Sequence, residues 1–157
     1  MSSADPSRYK DVLGRFATGV VVVTAQTADG PAGLTCQSFG ALSMDPPLVF
    51  FNATSNGSSW QKIRHASAIG ISVLSDEQSE VAMRFATSGI DKFAGADVVV
   101  AENGAPLLNG ALAHITGDII SVATHGDHDM VVVAVTGLDA FEGEPSLYYR
   151  GAFRLLK

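Results

Sequence analysis

Three stretches of this sequence carry polar side chains at spacings that could do chemistry. The first runs Gly33-Leu34-Thr35-Cys36-Gln37-Ser38-Phe39 and continues through Ser43 to Asp45-Pro46-Pro47. Side chains alternate along an extended chain, so Thr35, Gln37 and Phe39 share one face and Leu34, Cys36 and Ser38 the other. Hydroxyls and an amide at neighbouring positions suit hydrogen bonds to a flat, polar heterocycle. An edge strand with one solvated face accounts for the same residues equally well. The second stretch is Asn52-Ala53-Thr54-Ser55-Asn56-Gly57-Ser58-Ser59-Trp60. A strand end, a turn on Gly57 and a helix start would aim free amides and hydroxyls at an anion without a basic surface. A capping serine explains Ser58 or Ser59 alone, but not the whole tract. Lys92 and Arg84 are the cations that could complete a phosphate site, or else they are solvated surface charges. The third stretch is Gly126-Asp127-His128, where an imidazole stands beside carboxylates at a turn. A metal held by His125, Asp127, His128 and Asp129 would need four ligands converging from one tight turn, which strand directions oppose. A solvated loop histidine is the plainer reading. Cys36 has no basic flank and reads as a buried, inert thiol. His65 and His114 read as packing or surface residues, and no GxSxG or GxGxxG signature is present.

These stretches need elements to hold them. Asp5-Pro6-Ser7 reads as a helix start, followed by helical spacing at Val12, Leu13, Phe16 and Ala17. Gly19 to Thr27 is a β-branched run and predicts a buried strand, with a turn at Ala28-Asp29-Gly30-Pro31. Ala32 to Phe39 and Leu48 to Ala53 predict two more strands, joined by a loop or edge at Met44-Asp45-Pro46-Pro47. Ser58 to Ala66 and Asp76 to Ala86 predict short helices around a strand at Ala68 to Leu74. From Ser88 to Gly110 the pattern is rich in turns. Ala111 to Ala123 and Met130 to Phe141 predict two long strands joined by a six-residue polar tip, Thr124 to Asp129. Leu147 to Leu156 closes the chain as a strand pair broken at a glycine. Many short strands with only short helices favour a closed antiparallel barrel over a parallel α/β sheet.

Composition sets the class. A chain of 157 residues with 46% hydrophobic and 17% charged residues fits one folded domain, 1–157, and excludes disorder. A net charge of -6 argues against nucleic acid, whose phosphates call for a basic surface. The single cysteine allows neither an internal disulfide nor a CxxC metal site. The start MSSADPSRYK lacks an apolar leader, and the apolar runs are far below the ~18 residues of a membrane span. A cytoplasmic, soluble protein is the expectation, with no membrane and no metal.

Taken together and in order, the segments resemble the short-chain flavin reductase family. The resemblance spans Tyr9 to Arg154. It rests on Arg15-Phe16-Ala17-Thr18-Gly19-Val20, Thr35-Cys36-Gln37-Ser38-Phe39 with Ser43 and Pro46-Pro47, and Ser58-Ser59-Trp60. Asp91-Lys92-Phe93, Gly126-Asp127-His128 and Tyr149-Arg150-Gly151 complete the set. It implies a mainly β fold with short helices, an antiparallel split β-barrel that binds FMN or FAD non-covalently, and a homodimer. It also implies hydride transfer from NADH or NADPH to flavin, which then serves a separate monooxygenase.

By the same resemblance, Thr35, Cys36, Gln37, Ser38 and Phe39 lie along the flavin, with Ser43 near. Asn52, Ala53, Thr54, Ser55, Ser58, Ser59 and Trp60 hold its phosphate end, helped by Lys92 and Phe93. His128 and Tyr149, Arg150 and Gly151 stand on the nicotinamide side. The chain departs from the family at Ser55 and Gly57, where a lysine or similar polar residue and a hydroxyl are common, and at Gln61, where proline is common. A plain flavin carrier and a one-component flavin oxidoreductase are the alternatives. Bleaching of flavin absorbance by NADH separates the carrier from the reductase.

Overall fold

The computed structural model describes residues 4–157; the first three residues of the N-terminal stretch read above lie outside it. Helix α1, Pro6–Leu13, begins as its residues dictate: the Asp5 carboxylate accepts the Ser7 amide at 2.9 Å and Pro6 opens the first turn. It stops at Gly14, before Phe16 and Ala17 can extend its stripe, and none of its residues is buried.

The strands follow as β1 Thr18–Gly19, β2 Val21–Thr27, β3 Gly30–Cys36, β4 Phe39–Met44 and β5 Pro47–Thr54. Helix α2 is Ser58–Ile63, β6 is Ala68–Val73, and a 3-10 turn at Asp76–Gln78 leads into α3, Ser79–Phe85. Then come β7 Val98–Val100, β8 Pro106–Leu108, β9 Ala113–His125, β10 His128–Ala140, β11 Leu147–Tyr149 and β12 Ala152–Arg154. Seven strands form one antiparallel sheet in the order β3-β2-β6-β9-β10-β5-β4. Two smaller sheets, β1-β11-β12 and β7-β8, stand beside it. The mainly β, split-barrel architecture is the one the resemblance implied. Among the described residues, no helix is long and apolar enough to cross a membrane.

β2 explains why the sheet has two cores. Val21, Val23 and Ala25 enter a cluster with Phe51, Trp60, Ile63, Ile69, Ile71, Val131 and Val133. Val20, just before it, and Val22 point the other way, to Leu74, Ala82, Phe85 and Leu108. A strand covered on both faces reads as an unbroken apolar run rather than an alternation. Each such side chain contributes roughly 1.5–3 kcal/mol on burial, so β2 anchors the fold.

Several elements differ from expectation. The strand read through Phe39 breaks after Cys36, and Phe39 opens β4. β3 and β4 are consecutive in the chain but form opposite edges of the sheet, so Gln37 and Ser38 must step across the opening between them. The Asn52 amide donates to the Ser38 carbonyl at 3.2 Å and ties this step to β5. The six-residue hairpin tip is a two-residue turn, Gly126-Asp127, with His125 opposite His128 in the ladder. Gly126 has φ +63, as a primed hairpin turn with glycine at its first position requires. His128 therefore sits on a strand, with a fixed direction, not in a loop. The turn-rich segment after Ser88 contains the short β7–β8 hairpin, whose three-residue strands are too brief for a period to register.

Candidate active site

A cavity of about 310 Å³ opens between the edge strand β3, with the crossing segment after it, and the end of β5. β3 and the crossing segment bring Thr35, Cys36, Gln37 and Ser38 to its wall. β5 brings Asn52, Ala53 and Thr54, and α2 brings Ser58, Ser59 and Trp60. Lys92 and His128 also border it. Elements that the sequence reading placed far apart thus meet at one site, because a barrel edge, a helix start and a hairpin end converge there. Gly57, the turn of the tract read from the sequence, lines it too, as do Phe85, Ala86 and Ser88, which were not anticipated. The last three come from the end of α3 and the segment just after it, where apolar spacing signals packing and carries no sign of a ligand.

Many of the polar groups are already committed to the protein. The Thr35 hydroxyl donates to the Ala82 carbonyl at 2.6 Å and pins β3 to α3. Gln37 Oε1 accepts from Thr18 Oγ1 at 3.1 Å. Ser38 Oγ donates to the Asn52 carbonyl at 3.2 Å and lies 3.2 Å from Cys36 Sγ. Burial pushes the Cys36 thiol above its ordinary pKa, so at neutral pH it stays protonated and unreactive. Among the described residues, the Gln37 amide nitrogen and the Thr54 and Ser58 hydroxyls have no protein partner. All three border the cavity.

Lys92 stands on the α2 side. Its Nζ donates to the Gly33 carbonyl at 3.0 Å, the Phe85 carbonyl at 2.8 Å and Ser59 Oγ at 2.9 Å. All three ammonium protons are taken, so it offers charge and holds Ser59 in place. Removal from water pulls its pKa below the ordinary value. Arg84, the other cation considered, does not border this cavity. It donates to the Ala94 carbonyl and braces the loop that carries Lys92. At the hairpin end, His128 Nδ1 lies 2.7 Å from the Asp127 carboxylate, and both side chains are open to solvent.

The remaining candidates lie elsewhere. Phe39 and Ser43 are in β4, outside the wall. Ser55 turns away, and its hydroxyl donates to Asp129 at 2.9 Å. Phe93 packs edge-on against Phe85, with centroids 5.0 Å apart, and so stands behind the wall. Tyr149, Arg150 and Gly151 form the β11–β12 turn, where the Arg150 amide donates to the Gly14 carbonyl at 2.9 Å.

Asp129 is the residue that sequence reasoning missed, having met it only as a possible metal ligand. It is buried, and its carboxylate accepts from Trp60 Nε1 at 2.7 Å, Thr124 Oγ1 at 2.8 Å and Ser55 Oγ at 2.9 Å. Arg64 Nη1 lies 3.5 Å away. These donors, the Trp60 indole first, hold its pKa below the ordinary carboxylate value. One carboxylate thus joins β9, β10, the loop after β5 and α2, the parts that frame the cavity. The Gln61 side chain donates to the Ser55 carbonyl and closes the same loop.

A cavity at the sheet's edge, lined with unpartnered amide and hydroxyl groups and a half-buried ammonium, suits a planar heterocycle carrying a phosphate. The fold and the site define a flavin-handling split barrel. The chain belongs to the flavin reductase like domain family, whose profile matches residues 13–157. It is 42% identical over 152 residues to the reductase subunit HsaB of a flavin-dependent monooxygenase from Mycobacterium tuberculosis, covering 95% of this chain and 81% of that one. It superposes with TM-score 0.92 on the crystal structure of nitrilotriacetate monooxygenase component B from Mycobacterium thermoresistibile. There 38% of residues are identical over 96% of this chain and 86% of that one. The NADH:FAD oxidoreductase SgcE6 of Streptomyces globisporus C-1027 also superposes at 0.92, with 32% identity over 100% of this chain and 98% of that one.

Proposed function

We infer that this chain, working as one domain over its 157 residues, is an NADH-dependent flavin reductase that supplies reduced FMN or FAD to a separate monooxygenase. The observation that carries the reading is the convergence of Gln37, Thr54, Ser58, Lys92 and His128 on one cavity in a chain of this family. The names of its relatives support the assignment, a monooxygenase reductase subunit and an NADH:FAD oxidoreductase among them.

A bound flavin supplies the hydride acceptor, so the protein needs no strong acid, base or metal of its own. Its residues orient and stabilise. The free Gln37 amide and the crossing segment at Ser38 meet the polar edge of the ring. Thr54, Ser58 and Ser59 meet the phosphate end, where the Lys92 charge favours an anion locally despite a net charge of -6. Because α2 has only six residues, the hydroxyls and Lys92 carry that end rather than a helix dipole. Fixed donors of this kind also favour the negative charge that builds up on reduction.

Ser38, Asn52 and His128 are shared with a further cavity of about 450 Å³, lined also by Tyr9, His125 and Asp127. This is the approach for the nicotinamide, with His128 able to hydrogen-bond it or to exchange a proton. Ser43, Tyr149, Arg150 and Gly151 lie off both cavities, and in this reading they reach a site through a second copy of the chain. A homodimer is supported by the exposed apolar side chains of α1 and by Met44, which is 94% exposed. A cytoplasmic location fits this reading, since NADH is made and used there.

The test is anaerobic mixing of the protein and FMN or FAD with NADH or NADPH. Flavin absorbance should bleach in many turnovers with NADH. Binding of flavin without bleaching would make the protein a carrier instead.

A further inference from the structure

A separate cavity, of about 580 Å³, lies between the strands β9–β10 and the hairpin β7–β8. β9 turns Ile115 into the core, so His114, Thr116 and Asp118 share its opposite face, and all three line this cavity. Asp139 stands opposite His114 in the ladder, and Glu102 enters from the β7–β8 loop. That loop is held by Asn103, whose Nδ2 donates to the Ile69 carbonyl and whose Oδ1 accepts the Ala105 amide, both at 3.1 Å. Among the described residues the lining has no lysine or arginine, and none of the three carboxylates is in an ion pair. We propose that this cavity binds a linear organic cation, a diamine or polyamine, lying along β9.

A buried imidazole and the shape of the trough distinguish it from an acidic surface patch. His114 is only 7% exposed. Its Nε2 lies 2.7 Å from the Leu108 carbonyl, which can only accept. Nε2 therefore carries the proton, and Nδ1 is left as an acceptor. Nδ1 has no protein partner, and among the described residues no side-chain nitrogen is both sealed off and unpaired. It therefore opens into the cavity that His114 lines, ready to accept from an ammonium group.

The anionic groups also form two poles. His114 and Asp118 are four positions apart on β9, roughly 13 Å on an extended strand, and Asp139 belongs to the His114 end. Between the poles stand the Thr116 and Thr136 hydroxyls, 3.4 Å apart, and Gly137, where a side chain would collide with Thr116. Val99, Val100 and Leu107 of the hairpin supply an apolar wall. Ammonium groups at the poles with methylenes between them match this layout. A single metal ion does not, since carboxylates spread along a strand do not converge on a point, and the described residues hold no metal-binding cluster. His128 and Asp139 lie towards opposite ends of β10, roughly 35 Å apart along the strand, so an occupant here leaves the flavin cavity open.

Isothermal titration calorimetry of the full chain with spermidine, at low ionic strength, tests this. Spermidine binds once per chain, at least about tenfold more tightly than propylamine, which can reach only one pole. Asp118→Asn and Asp139→Asn each weaken spermidine by about threefold, and together by on the order of tenfold. Asp29→Asn removes the same charge at the β2–β3 turn, outside the cavity, and changes the affinity less than about twofold. All three aspartates are exposed, so the variants keep the fold, and an unchanged circular dichroism melt verifies that. Equal weakening by Asp29→Asn would reduce the binding to general attraction to a net charge of -6 and overturn the proposal. Equal affinity for propylamine, or no saturable heat with spermidine, would overturn it too.

Discussion

His128 and Lys92 stand at different parts of the cavity, and each predicts a different failure. His128→Ala should lower kcat/KM for NADH by about a hundredfold, the lower end of what a positioned proton-bearing group contributes. Its flavin affinity should stay within twofold of wild type, as measured by dialysis. An unchanged NADH profile would remove His128 from the reaction. Lys92→Met should do the reverse, weakening FMN by about tenfold through loss of a charged group near the phosphate. It should also cost about 1–2 kcal/mol of stability in a urea melt, because the Gly33 and Phe85 carbonyls and the Ser59 hydroxyl lose a common donor. The lysine was legible in the sequence as a cation near a hydroxyl tract. That its protons are all taken was not, since Gly33 is 59 residues away and carbonyls leave no compositional trace. Ser55 shows the opposite limit. Its tract implied a ligand-facing hydroxyl, yet it serves Asp129, because the choice between facing outward and inward depends on one turn.

The elements around the cavity are joined at Asp129, and this junction is sensitive to pH. The folded carboxyl has a pKa below the ordinary value, about 3.9 for an unfolded chain. The unfolded state therefore binds the proton more readily, and the stabilisation is complete above that value. It is lost as pH falls through the depressed folded value. Asp129→Asn keeps the shape but removes the charge and replaces one acceptor oxygen with a donor. Its thermal midpoint at pH 7 should fall by an amount equivalent to about 1–3 kcal/mol. Its melting curve should lack the part of the acid loss, below the ordinary carboxylate range, that wild type owes to this group. Parallel curves for both proteins would mean that folding leaves the Asp129 pKa unshifted, against the geometry described.

At this scale much of the architecture was readable. The β-branched run of β2, the cap of α1 and the Gly-broken pair β11–β12 each follow from local chemistry. The break at Gln37-Ser38 was not readable, since alternation passes through it with neither glycine nor proline to mark it. Only the need to join two opposite sheet edges puts it there. The Asp129 junction was hidden for a related reason, as its partners Ser55 and Trp60 are 74 and 69 residues away.

Across the whole molecule, apolar side chains remain uncovered. Phe16 and Leu138 are each 67% exposed, and Tyr9 and Leu13 of α1 are 61% and 51% exposed. Monomers seldom leave so many large apolar groups in water over connected elements. Sedimentation equilibrium should give twice the mass of the chain at micromolar concentration, and Phe16→Glu should shift it to one chain without loss of secondary structure. A single chain at all concentrations would mean that α1 lies bare. An unpartnered α1 also has a consequence in mass action. A helix that buries nothing against its own body takes its stability from how much protein is present, since only association covers it. Each tenfold dilution below the dissociation constant then removes about 1.4 kcal/mol from the assembled state. If the proposed dimer forms, heat resistance is set partly by abundance, and the melting temperature should rise with protein concentration.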